Sequence, residues 1–152
     1  GVMLTGCSGV VDLDAAPHAG DPACVTAAAR LPHTVEQLPR RETDAQSTAA
    51  WGDPAAVLLR CGVTVPTASD LPCLEPDAGY PWLVDDSKSP TVVFTSYGRS
   101  PAIAVVVDQT RLSPGAVLHD LEPIVALTAA NGHTCLSGDD LPTPVPTAEP
   151  TP

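Results

Sequence analysis

The sequence predicts an α+β domain: a mainly antiparallel sheet of four or five strands, with an N-terminal and a C-terminal helix and two disulfides. Three observations carry this. Short runs rich in Val, Leu and Ile, alternating or wholly apolar, fill the middle of the chain. Helix-type stripes with start and stop signals sit on either side of those runs. Cys24, Cys61, Cys73 and Cys135 remain once Cys7, near the start, is set aside, and an even remainder suits a pair of cross-links.

The first helix is expected over residues 23–31, opened by Asp21 or Pro22 and ended by Pro32. Pro39-Arg40-Arg41-Glu42 reads as a polar crossing. A strand follows at 48–51, closed by Gly52-Asp53-Pro54. The next spans 55–63, where Val57, Leu59, Cys61 and Val63 share one face and Leu58 and Arg60 the other. Residues 64–79 read as an acidic, proline-containing loop, and 80–84 as a short strand. Residues 91–97 and 102–108 flank Gly98-Arg99-Ser100-Pro101 as a hairpin. In its second arm Ile103, Val105 and Val107 alternate with Ala102, Ala104 and Val106, so both faces are apolar and the strand should be central. The last helix is expected over about 121–130, with Asp120 as N-cap, Gly132 past its end, and Leu121, Ile124, Val125 and Leu127 against the sheet. The organisation that follows is a leader remnant at 1–7, a tether at 8–22, one domain at 23–138 and a Pro/Thr-rich disordered tail at 139–152.

The chain has 152 residues, one domain's worth, with 43% hydrophobic and 3% aromatic residues, so its core rests on Ala, Val and Leu. A net charge of -11 leaves no basic footprint for nucleic acid and no polybasic patch for lipid headgroups. No run of 18 apolar residues is present, so membrane attachment would need a lipid.

Leu4-Thr5-Gly6-Cys7 supplies that expectation. It resembles the bacterial lipobox, in which an apolar residue and two small residues precede a cysteine that takes a diacylglyceryl group. Residues 1–4 are too short for the apolar part of a signal peptide, so the chain is read as beginning inside its own leader. The protein would then sit at the outer face of the cytoplasmic membrane, where disulfides persist. Three pairings of the four remaining cysteines exist. We expect Cys61 with Cys73, across a loop holding Pro66 and Pro72, and Cys24 with Cys135, clamping the two helices together.

Trp51-Gly52-Asp53-Pro54, Leu59-Arg60-Cys61-Gly62-Val63 and Gly98-Arg99-Ser100-Pro101 together resemble a family of actinobacterial secreted proteins and lipoproteins defined by a domain of unknown function. The resemblance spans about residues 22–136. It implies location and fold boundaries and carries over no catalytic residue.

The catalytic inventory is thin. His18, His33, His119 and His133 fall in no Ser/Asp or Cys/Asp pattern, and Ser47, Ser69 and Ser96 lack the Gly-x-Ser-x-Gly turn. Asp85-Asp86 and Asp139-Asp140 read as solvated pairs rather than a glycosidase dyad. No metal set, phosphate loop, dinucleotide fingerprint or Cys-x-x-Cys occurs, and no cofactor is expected. The remaining candidates are Arg60, Arg99, Arg41 and Trp51. Arg60 should lie on the sheet face left open by the helices, near Trp51, where guanidinium groups grip a carboxylate or phosphate; the alternative is ordinary ion pairing with the 18 acids. The expected function is that of a non-enzymatic accessory or binding lipoprotein of the envelope, with the membrane and an envelope complex as partners and no nucleic acid. A small envelope hydrolase is the alternative.

Overall fold

A computed structural model describes residues 10–66, 70–75 and 79–135. Cys7 and the tail from 139 onward lie outside them. The architecture is α+β. In chain order the elements are β1 (Val10–Val11), α1 (Pro22–Ala29), β2 (Thr34–Val35), β3 (Leu38–Thr43), β4 (Thr48–Trp51), β5 (Val57–Val63), β6 (Cys73–Leu74) and β7 (Trp82–Lys88). Then come β8 (Thr91–Ser96), β9 (Arg99–Ser100), β10 (Ala102–Asp108), α2 (Pro114–Asp120), α3 (Glu122–Val125) and β11 (Ala129–Ala130).

Among the described residues the main sheet has nine strands, more than the four or five expected, in the order β1-β3-β4-β5-β10-β8-β7-β6 with β2 on β3. It is mixed, because β1 runs parallel to β3. The expected strands form its antiparallel centre. β10 returns between β5 and β8, as its doubly apolar sequence requires. The additional strands are short or polar. The stretch expected to be a crossing, Pro39-Arg40-Arg41-Glu42, is the middle of β3, and the expected loop at 64–79 contains β6. Residues 129–130 pair with 99–100 in a second, two-stranded sheet.

Register divides the sheet into two faces. Val57, Val107 and Val92 lie abreast, as do Leu59, Val105, Phe94 and Val84; Cys61 faces Ile103. This face packs on Cys24 and Ala27 of α1 and on Val117, Leu118, Leu121, Ile124 and Val125. Burying a Val or Leu side chain there contributes about 1.5–3 kcal/mol. The opposite face carries Leu58, Val106, Val93 and Asp85 in one row, and Arg60, Ala104, Thr95 and Leu83 in the next. Leu58, Arg60, Val93, Thr95 and Val106 are half-buried, and the helical residues of the core pack on the other face.

The helices differ from expectation in place and pairing. Asp21 caps α1, accepting from the Ala23 amide at 2.8 Å. The C-terminal helix begins earlier than 121, at Ser113-Pro114, with proline at its first position. Asp120 is therefore no N-cap; its Oδ2 accepts from the Glu36 amide at 2.9 Å. The stripe of Leu121, Ile124 and Val125 is buried as anticipated, but on a single turn, α3. Disulfides join Cys24 to Cys61 and Cys73 to Cys135, with Cα separations of 5.5 Å in each, which replaces both expected pairings. The cause is the register. Cys61 points to the helix-covered face, where α1 lies, whereas Cys73 lies beside Leu83 and so belongs to the opposite face.

The stretch expected to be a tether is folded from Val10 onward. β1 pairs with β3, the Leu13 amide donates to Asp44 Oδ1 at 2.9 Å, and the His18 amide donates to the Gly62 carbonyl at 2.8 Å. Ser47 Oγ donates to the Ala19 carbonyl at 2.6 Å. Gly62 has φ +101, and any Cβ there would overlap the His18 carbonyl. A second glycine, Gly98, has φ +83 and sits equally close beneath the His133 carbonyl. Both terminal segments thus cross the same end of the sheet, each over a glycine at the close of a strand.

Candidate binding site on the open face of the sheet

At that same end, the open face carries a groove of about 420 Å³. Its floor is Ala104, Thr95, Leu83 and Val93; Val63, Pro66 and Leu71 form the rim. Among the described residues Arg60 is the one charged residue lining it, beside Thr64. Arg60, Ala104, Thr95, Leu83 and Cys73 form a single row across five strands. The N-terminal segment holds one end of the row and the Cys73–Cys135 bridge the other. The volume lies in the range of small-molecule sites, about 300–1,000 Å³.

Arg60 Nε donates to the Asp14 carbonyl at 3.0 Å. Its terminal guanidinium nitrogens have no hydrogen bond or ion pair among the described residues. Among the described residues no acid lines the groove. A smaller hollow of about 120 Å³ adjoins it at Val93, lined also by Asp85, Ser87, Lys88 and Thr91. Asp85 is occupied there: the Ser87 hydroxyl donates to it at 2.7 Å and the Ser87 amide at 3.0 Å, which together hold its carboxyl below the usual carboxylate range.

The other candidates are dispersed. Trp51 is fully buried on the helix side, with Nε1 donating to the Pro32 carbonyl at 3.1 Å, so it does not accompany Arg60. Arg41 donates to the Gly52 carbonyl at 2.7 Å and lies 3.4 Å from Asp53 Oδ1. Arg40 donates to the Leu31 carbonyl at 2.8 Å. Arg99 donates to the Thr128 hydroxyl at 3.1 Å and to the Thr128 carbonyl, and its guanidinium stacks 4.9 Å from the Tyr80 ring centroid. These arginines each donate to a backbone carbonyl, and Arg41 also pairs with Asp53.

Among the described residues neither histidine that a hydrolase would use meets a nucleophile. His119 Nδ1 lies 3.6 Å from Glu122 Oε1, with its side chain 79% exposed, and the His133 ring rests 5.5 Å from that of Tyr97. Ser96 is fully buried and accepts from the Ile103 amide at 2.9 Å, where the β5–β10 register shifts. Among the described residues no group of three His, Cys, Asp or Glu is placed to hold a metal ion.

The family model for a protein of unknown function, DUF3515, matches residues 8–135. The chain belongs to that family. No curated protein and no solved structure matches it. The DUF3515 match begins well before residue 22, so the family's domain includes the N-terminal segment that the structure folds onto the sheet. The motifs that carried the resemblance are legible in the DUF3515 fold as crossing points: Gly62 and Gly98 are where the terminal segments pass over strand ends, and Cys61 anchors α1. The sequence does not announce the groove, because Pro66 and Leu71 belong to the expected loop and Val63, expected on the Cys61 face, lines the groove with Arg60 instead, beyond the register shift at Ala102/Ile103.

Proposed function

We propose that this protein is a lipid-anchored binding or accessory protein of an actinobacterial envelope, held at the outer face of the cytoplasmic membrane through Cys7, and that the open sheet face is its binding surface. The observation that carries the reading is the one-sided sheet: helices and both tryptophans seal one face, and the other presents an apolar groove whose described lining carries one cation, Arg60. Two disulfides favour an oxidising compartment. The anchor would be short. Val10 is already in the sheet, so the three residues after Cys7 span at most about 11 Å. A domain so held rests against the bilayer surface, and the envelope component it serves is one within that reach.

Membrane fractionation tests the anchor: Cys7→Ser is expected to move the protein to the medium or leave an unprocessed precursor, and unchanged membrane retention would refute attachment through Cys7. Pull-down from membranes with the lipidated full chain tests the binding surface. We expect a reproducible partner whose capture falls when Val93→Glu is introduced; capture indifferent to that change would remove the open face from the function.

A further inference from the structure

We infer that the open-face groove binds a single-chain anionic amphiphile of the bilayer, its chain along Val63, Leu71, Leu83 and Val93 and its carboxylate or phosphate on Arg60; this rests on the membrane-apposed reading above.

Charge and chemistry select that occupant. The chain carries -11, yet among the described residues Arg60 is the one charged residue lining the groove and no carboxylate lines it. Nε is committed to the Asp14 carbonyl, which fixes the plane of the guanidinium. The terminal nitrogens keep their donors, in the fork that matches a two-oxygen anion. Among the described residues the hydroxyls of Thr64 and Thr95 are the groove's other polar side-chain groups, so the rest of a ligand meets an apolar lining. A cationic lipid finds no acid there. A peptide would bring unsatisfied amides onto a face where strand pairing already uses the backbone. A volume of about 420 Å³ suits one acyl chain better than the patch needed for a protein partner.

The test uses the full chain and sodium dodecanoate below its micelle concentration, followed by calorimetry and by methyl NMR of Val63, Leu83 and Val93. Saturable one-to-one binding with shifts at those methyls is expected. Arg60→Gln should weaken dodecanoate about tenfold or more while leaving dodecanol unchanged. Val93→Glu, which leaves the Arg60 bond to Asp14 intact, should weaken both; circular dichroism confirms that each variant is folded. Absence of saturable binding overturns the inference. So does equal affinity for dodecyltrimethylammonium, or indifference of dodecanoate to Arg60→Gln. If dodecanoate fails while membrane pull-down still depends on Val93, the ligand class falls and the binding-protein reading stands.

Discussion

Cys24–Cys61 joins the first helix to the middle of β5, with both residues sealed from solvent, whereas Cys73–Cys135 joins a two-residue edge strand to the last described turn of chain, with both residues half-exposed. The loops they close span 37 and 62 residues. On chain entropy alone they are near equals, about 3.8 and 4.3 kcal/mol, with the exposed bridge slightly ahead. Burial reverses that order. Removing the first bridge opens a void between α1 and Leu59 and Ile103 on the covered face; removing the second frees a segment that water already reaches.

The largest effect should therefore come from Cys24→Ala with Cys61→Ala. Loop entropy and the void together consume much of the 5–15 kcal/mol typical of a domain, and we expect the melting temperature to fall by more than about 15 °C. Cys73→Ala with Cys135→Ala should fall less, because β6 and residues 131–135 detach locally instead of unfolding the sheet. Calorimetric melts of the two double variants decide the matter: an equal or larger loss from the second pair would mean that loop length, and not burial, ranks the bridges.

The two glycines offer a smaller perturbation at the same crossings. Gly62→Ala forces a positive φ on alanine and drives a Cβ into the His18 carbonyl; Gly98→Ala does the same at His133. The backbone strain is about 1–3 kcal/mol at each site. Gly62→Ala should cost more in global stability, since residues 18 and 19 lead directly into α1 and the buried bridge. Gly98→Ala should chiefly raise amide exchange at Asn131, whose amide donates to the Gly98 carbonyl at 2.9 Å. Gentler still is partial reduction of the native chain: timed alkylation and peptide mapping should label Cys73 and Cys135 before Cys24 and Cys61.

What the sequence disclosed and what it hid follow the same division. The central strands were legible because alternation is enforced where one face is sealed. The doubly apolar β10 could be placed only at the centre. β3 was illegible because its pattern, Leu38-Pro39-Arg40-Arg41-Glu42-Thr43, has no apolar period. Its hairpin with β2 turns on Glu36 and Gln37, with φ 47 and 70, where asparagine or glycine would have announced the turn. The Glu36 amide is held instead by Asp120, 84 positions away, a contact no local pattern can signal. The cysteine pairing failed for a related reason: sequence distance suggested joining 61 to 73, and only register shows that they face opposite sides of the sheet. Of the candidate residues, Arg60 lies on the face away from Cys61, as its alternation implies, whereas Trp51 is buried on the helix side and Arg41 and Arg99 donate to backbone carbonyls elsewhere.

The smallest effect sharpens the contrast between the two terminal crossings through protons. The N-terminal segment is held at Leu13 by Asp44, whose carboxyl is lowered from 3.8, first by that backbone bond and then by a bond with Asp12. Asp12 is raised from the same value, chiefly because it shares its hydrogen bond and its charge with Asp44. A lowered carboxyl contributes stability above 3.8 and loses it as pH falls through the lowered pKa. A raised one contributes below 3.8 and loses it as pH climbs through the raised pKa. Between the two pKa values the pair holds one proton, and the segment is bound most firmly there. The C-terminal crossing is held by Asn131 and backbone groups, with no carboxylate among its hydrogen bonds to the described residues. Amide exchange at Leu13, corrected for its intrinsic pH dependence, should therefore pass through a minimum near the carboxylate range, while Asn131 and His133 show none. Asp44→Ala should abolish the minimum and return Asp12 toward 3.8 in a carboxyl NMR titration. A minimum that survives Asp44→Ala would mean that the Asp12–Asp44 pair does not set the pH dependence of the hold on the N-terminal segment.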